Sequence, residues 1–126
     1  MDKIAFVEKF KRRTRKFVLE ILKLFKQIRP SQESLIIQKQ LIRSAGSMAS
    51  NYRAATRSRS RAEFYSKLCI VVEEADESLF WIELLEESKI VPLELIEPIK
   101  QEAVEILSVT AKARKTAQSN RCNKSP

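Results

Sequence analysis

Apolar residues recur every three to four positions along four stretches of the chain, and nowhere do they sustain a period of two. In the first stretch, Ile4, Phe6, Val7, Phe10, Phe17, Val18, Ile21, Leu22, Leu24, Phe25 and Ile28 fall on one arc of roughly 160° when projected at 100° per residue. The pattern predicts a helix over about 4–29. An arc this wide exceeds a two-helix seam, so it predicts contacts to two neighbours, or to a bundle and a further subunit. Pro30 lacks a backbone donor and disfavours helix at Arg29, which ends the element. Ser31, with Ser34 three residues on, offers an N-cap to a second helix over about 33–56. Its core face is Leu41, Ile42, Ala45, Met48, Ala49, Tyr52 and Ala55.

The run Ser60-Arg61-Ala62-Glu63 has the form of a capping box, with the Glu63 carboxylate expected on the Ser60 amide. It starts a third helix over about 61–88, whose stripe is Phe64, Leu68, Val71, Val72, Ala75, Leu79, Ile82 and Leu85. Pro92 suits a first helical position and opens a fourth helix over about 93–117, with Pro98 expected to impose a kink or a short turn. Its stripe is Ile99, Ala103, Ile106, Leu107, Thr110, Ala113 and Ala117. Residues 118–126 are polar and read as a frayed, flexible tail. With one glycine, no strand or hairpin signal and 126 residues, the expectation is an all-α single domain, a four-helix bundle spanning residues 1–117. No apolar run approaches the roughly 20 residues of a membrane span, and the amphipathic N-terminus does not resemble a signal peptide.

Charge adds a second layer. The net charge of +8 is distributed as +7 over residues 1–30, +5 over 31–62, −9 over 63–105 and +5 over 106–126. The basic helices can neutralise the acidic third helix, or turn a basic face to a polyanion, and different faces of one helix can do both. The polar side of helix one collects Lys9, Arg12, Arg15, Lys16, Lys23 and Lys26, with only Glu8 and Glu20 near it; that of helix two carries Lys39, Arg43, Arg53 and Arg57. Arg57-Ser58-Arg59-Ser60-Arg61 is the tightest basic run and lies beside a helix N-terminus, where guanidinium forks suit phosphate oxygens. The candidate nucleic-acid contacts are therefore Lys9, Arg12, Arg15, Lys16, Lys23, Lys39, Arg53, Arg57, Arg59 and Arg61. The competing reading pairs these cations with carboxylates.

Gly46 sits mid-helix, where glycine costs about 1 kcal/mol relative to alanine. Close approach by another helix is the favoured explanation, and a ligand the second. Ile70, Phe80 and Trp81 lie off the helix-three stripe and point to an oligomer interface. Glu73, Glu74, Asp76, Glu77 and Glu83 crowd the same helix, but bundle di-metal sites use Glu-x-x-His pairs and this chain has no histidine. Ion pairs to basic helices are the expectation, with no metal and no cofactor. Cys69 and Cys122 have no metal-like spacing, and fit free thiols in a cytoplasmic chain.

Three segments also carry a resemblance. Gln40-Leu41-Ile42-Arg43-Ser44-Ala45, then Ser47-Met48-Ala49-Ser50-Asn51, then Arg57 to Phe64 with Ser60 and Glu63, are similar to the four-helix-bundle family called 23S rRNA intervening-sequence proteins. Glu77 falls where members carry a glutamate on helix three. The chain departs from the family pattern at Tyr52-Arg53-Ala54-Ala55, where commoner members have isoleucine-alanine-glutamate-glycine. The resemblance implies an antiparallel up-down-up-down left-handed bundle that assembles as a homo-oligomer, a ring pentamer. Some members lie in spacers within large-subunit ribosomal RNA genes. Others are accessory proteins of retroelements that bind a reverse transcriptase and nucleic acid.

Three functions follow for comparison. The first is a non-enzymatic, basic accessory protein that binds nucleic acid, RNA before DNA. The second is a homo-oligomeric interaction scaffold with no nucleic-acid binding. An enzyme is the weakest, since the chain has no histidine for proton transfer near neutral pH, no phosphate-cradling glycine loop and no nucleophile-elbow motif.

Overall fold

The computed structural model describes residues 2–122, the side chains of Arg121 and Cys122 excepted. Four helices follow one another: α1 (Lys3–Phe25), α2 (Gln32–Thr56), α3 (Arg61–Glu87) and α4 (Leu93–Cys122). Each packs on the next, and α4 returns to α1, so the arrangement is an all-α up-down bundle. The helices begin where the caps place them. Asp2 accepts from the Ala5 amide at 2.7 Å. Ser31 and Ser34 exchange reciprocal bonds of 3.1 Å at the start of α2. Ser60 accepts from the Glu63 amide at 3.1 Å, but Glu63 reaches one residue further back than expected, accepting from the Arg59 amide at 3.4 Å.

Two ends differ from the expected ones. The first helix stops at Phe25, and residues 26–28 form a turn whose amides donate to Lys23, Leu24 and Phe25 carbonyls. The fourth helix continues through residues 118–122, which the polar composition had assigned to a frayed tail; residues 123–126 of that tail lie outside the described residues. Helix also passes through Pro98. There the missing N–H forfeits only the bond to the Glu94 carbonyl, in the second turn of α4, and flanking turns carry the chain on.

The core is built mostly from the predicted stripes, to which the structure adds Ile96 of α4 and Thr14 of α1. Phe10, Phe17, Ile21 and Leu24 of α1 meet Leu41, Ala45, Met48 and Tyr52 of α2, Leu68, Val71, Ala75, Ile82 and Leu85 of α3, and Ile96, Ala103 and Ile106 of α4. Phe10 and Tyr52 pack edge to face at 5.0 Å between centroids, and burial pushes the Tyr52 hydroxyl up to about 12. Between α2 and α3, the hydroxyls of Ser44 and Ser78 are fully buried and 2.9 Å apart. Side chains this small let the two helices approach closely. Whichever hydroxyl donates across the seam, the other can donate to its own helix, at Leu41 or Glu74.

Helix α1 leaves the most of its predicted stripe exposed. Ile4 and Phe6, assigned to its core arc, are exposed, as is Leu22. The bundle uses only part of that arc, because α1 touches α4 more sparingly than α2 touches α3. The excess apolar width is real and faces outward.

Candidate nucleic-acid interface

The carboxylates of α3 and α4 decide which cations remain available. Arg43 points across to α3, donating to Glu74 at 3.0 Å and to Glu77. Glu77 also accepts from the Trp81 indole N–H at 3.1 Å. The indole bond first, and Arg43 second, hold the Glu77 carboxyl below the ordinary carboxylate range, while hydrogen bonds to Glu77 and Glu74 raise the Arg43 guanidinium. Between α1 and α4, Arg13 grips Glu102 through two bonds of 2.7 Å, which raise its own pKa, with Glu105 at 3.9 Å. A third tie joins Lys100 of α4 to Glu86 of α3 at 2.9 Å. Thus the acidic segment does neutralise part of the basic one, through Arg13 and Arg43, while Lys100 and Glu86 pair within the acidic segment itself.

Several of the other cations gather in two grooves beside α1. One groove of about 470 Å³ lies between α1 and α2, lined by Lys11, Arg12, Arg15, Arg53 and Arg57, with Val18, Leu19, Gly46, Ala49 and Ser50 among them. No carboxylate lines it. Its cations converge because α1 and α2 run antiparallel: Lys11 and Arg15 sit one turn apart on one wall, Arg53 and Arg57 one turn apart on the other. Lys11 is held to Glu8 at 3.0 Å; among the described residues Arg12, Arg15, Arg53 and Arg57 make no salt bridge. On the far side of α1, toward α4, a second groove is lined by Lys9, Arg12, Arg13 and Lys16, with Phe17, Glu20 and Glu102. Arg12 belongs to both.

Of the ten candidate contacts, then, Arg12, Arg15, Arg53 and Arg57 come together in the first groove, and Lys9, Arg12 and Lys16 in the second. Lys23, Lys39, Arg59 and Arg61 line neither, and Lys23 is paired with Glu20 at 3.4 Å. The single basic side expected on α2 is split, since Arg43 turns to α3 while Arg53 and Arg57 turn to α1. Lys11 was missed, although its spacing of four from Arg15 carried the signal.

Gly46 also corrects an expectation. A Cβ built there meets no atom within 4 Å, so no helix of this chain requires the glycine, and packing within the bundle does not explain it. The three apolar residues expected at an interface differ in exposure, although the rings of Phe80 and Trp81 pack edge to face at 5.0 Å between centroids. Phe80 is exposed, Ile70 is half-buried, and Trp81 packs against the core and bonds Glu77. The larger share of outward apolar surface lies elsewhere, on Ile4, Phe6, Leu19 and Leu22 of α1 and Leu35 and Ile36 of α2. Of the residues that carry the resemblance, Arg43 and Ser44 tie α2 to α3, and Asn51 donates to the Ser47 carbonyl at 2.9 Å and to its hydroxyl at 3.2 Å. Ser60 and Glu63 cap α3, and Phe64 packs against the core. Those side chains shape the bundle, while Ala49, Ser50 and Arg57 from the same segments line the groove.

Among the described residues, no cluster of three metal-ligating side chains occurs, and no helix is long and apolar enough to cross a membrane. Residues 9–112 match the model of the 23S rRNA-intervening sequence protein family. The fold is similar to the crystal structure of a protein of unknown function from the S23 ribosomal protein family of Bacteroides thetaiotaomicron. The two are 31% identical with a TM-score of 0.78, over 86% of this chain and 97% of that one. No curated protein matches the chain. A family match across all four helices, together with that structural likeness, places this four-helix chain in the 23S rRNA-intervening sequence protein family.

Proposed function

We propose that this protein is a non-enzymatic, RNA-binding accessory protein whose contact surface is the basic groove between α1 and α2. One observation carries the reading: four arginines from two antiparallel helices converge on a groove that no carboxylate lines, while acidic side chains elsewhere in the same molecule are matched by other cations. A cation cluster that the fold leaves without partners suits phosphate oxygens, which arginine binds bidentately. No aromatic side chain lines the groove, so affinity rests on phosphates, with weak sequence preference. The experiment is a mobility shift of RNA across a salt series. For a single strand, four or five phosphate contacts give a log–log salt slope of about −3. Charge reversal of Arg15, Arg53 and Arg57 abolishes the shift, while the same charge change at Lys89, Lys112 and Lys115 leaves most of it. Equal losses from both triple variants would reduce the groove to a share of general net charge.

The protein also assembles with itself in this reading, as a ring pentamer. Exposed Ile4, Phe6, Leu19, Leu22, Leu35 and Ile36 are more large apolar surface than a solitary small bundle commonly leaves bare. Light scattering reads the mass directly. A pentamer that ignores RNA at all salt concentrations would favour an interaction scaffold instead, and a monomer would remove the assembly.

A further inference from the structure

The glycine at position 46 has no packing duty within the bundle, yet it lines the apolar end of the groove, where α2 would be more stable with alanine. Around it the groove changes character along its length. Val18, Leu19, Gly46 and Ala49 make an apolar floor, and Arg12, Arg15, Arg53 and Arg57 crowd beside it. The volume of about 470 Å³ falls within the range of small-ligand clefts, roughly 300–1,000 Å³. A flat apolar ring resting on the floor would bring an attached anion to the guanidinium groups. A nucleotide has that composition, with a base and sugar at one end and a phosphate at the other. In a duplex the base faces are stacked and unavailable; in an unpaired strand they can be splayed out onto apolar surface or onto arginine planes.

We propose that the Gly46 groove seats one unpaired nucleotide of a single-stranded RNA, its base or sugar lying over Gly46 and Ala49 and its phosphates on Arg15, Arg53 and Arg57. The proposal rests on the RNA-binding reading above and adds the seat. Glycine keeps the floor low; a side chain at position 46 would stand where the ring lies, in space that the protein itself leaves empty.

The test compares Gly46→Ala and Gly46→Leu with the wild-type chain, using a ten-nucleotide oligouridylate and an RNA duplex of ten base pairs as probes. Gly46→Ala raises the melting temperature and weakens oligouridylate binding a few-fold. Gly46→Leu keeps the helical circular dichroism and weakens that binding at least tenfold, while the weaker duplex binding is unchanged in both. Greater stability joined to weaker binding is a pairing that a merely structural glycine would not give. Oligouridylate binding that survives Gly46→Leu but falls on reversal of Arg53 and Arg57 overturns the seat and leaves the RNA reading standing. Loss of self-association in Gly46→Leu, with oligouridylate binding intact, overturns it too and assigns the glycine to a second copy of the chain. If the wild-type protein binds neither probe, the RNA reading fails and the seat with it.

Discussion

The seam between α2 and α3 and the groove between α1 and α2 share a helix but follow opposite rules. At the seam, small side chains bring the backbones together, the hydroxyls of Ser44 and Ser78 meet in the interior, and Arg43 is answered by Glu74 and Glu77. At the groove, small residues leave a space, and the arginines face one another without carboxylates. Small residues therefore carry no single meaning here. What matters is whether the opposing helix closes over them. The charge pattern follows where the carboxylates stand: Arg43 and Arg13 are paired where α3 or α4 presents a glutamate, and the arginines cluster where no carboxylate lines the gap.

The contrast is broken most directly through packing. Ile82 is fully buried among helices, so Ile82→Ala costs about 2–5 kcal/mol in urea unfolding. Leu22→Ala on the outer side of α1 changes stability within about 0.5 kcal/mol. A Leu22 variant as damaging as the Ile82 variant would show that this surface is covered in solution, which is what a ring assembly requires.

The next effect is electrostatic. Arg43→Ala leaves Glu74 and Glu77 without their cation and costs about 1 kcal/mol, because the pair is half-exposed. The groove arginines should respond with the opposite sign. Like charges one helical turn apart destabilise by about 0.2–0.5 kcal/mol, so Arg15→Gln and Arg53→Gln each raise stability by that amount at low salt. Adding salt shrinks the gain, since screening weakens the repulsion being relieved. Losses of stability in these variants would mean that the cluster has partners within the fold.

The sequence displays the seam far more clearly than the groove, for a physical reason. Helical periodicity reports which residues avoid water, and it locates Leu41, Met48, Leu68, Val71 and Ile82 directly. It cannot report how wide the gap between two helices is. Ile4, Phe6 and Leu22 thus read like core residues although no helix of this chain covers them. In the same way, Arg43, Arg53 and Arg57 share one side of a projected wheel, but packing sends the first to α3 and the others to α1. Trp81 read as an outward anchor because its indole lies off the core stripe; its bond to Glu77, one turn earlier, was legible only as a spacing of four.

That indole bond yields the smallest and most specific effect. Glu77 is held below the usual carboxylate range of about 4.3, chiefly by the Trp81 N–H and secondly by Arg43. A carboxylate with a depressed folded-state pKa contributes stability above its unfolded pKa and loses it as pH falls through the folded value. Glu77→Gln should therefore cost a few tenths of a kcal/mol at neutral pH, the side chain being over a third exposed. Below the ordinary carboxylate range the gap closes, because the wild-type carboxyl is then protonated as well. Trp81→Phe keeps a ring against the core but removes the donor, so the Glu77 carboxyl carbon should titrate at higher pH by NMR. An unchanged Glu77 titration in Trp81→Phe would assign the depression to Arg43 alone, and with it the order of the two contacts on Glu77 would reverse.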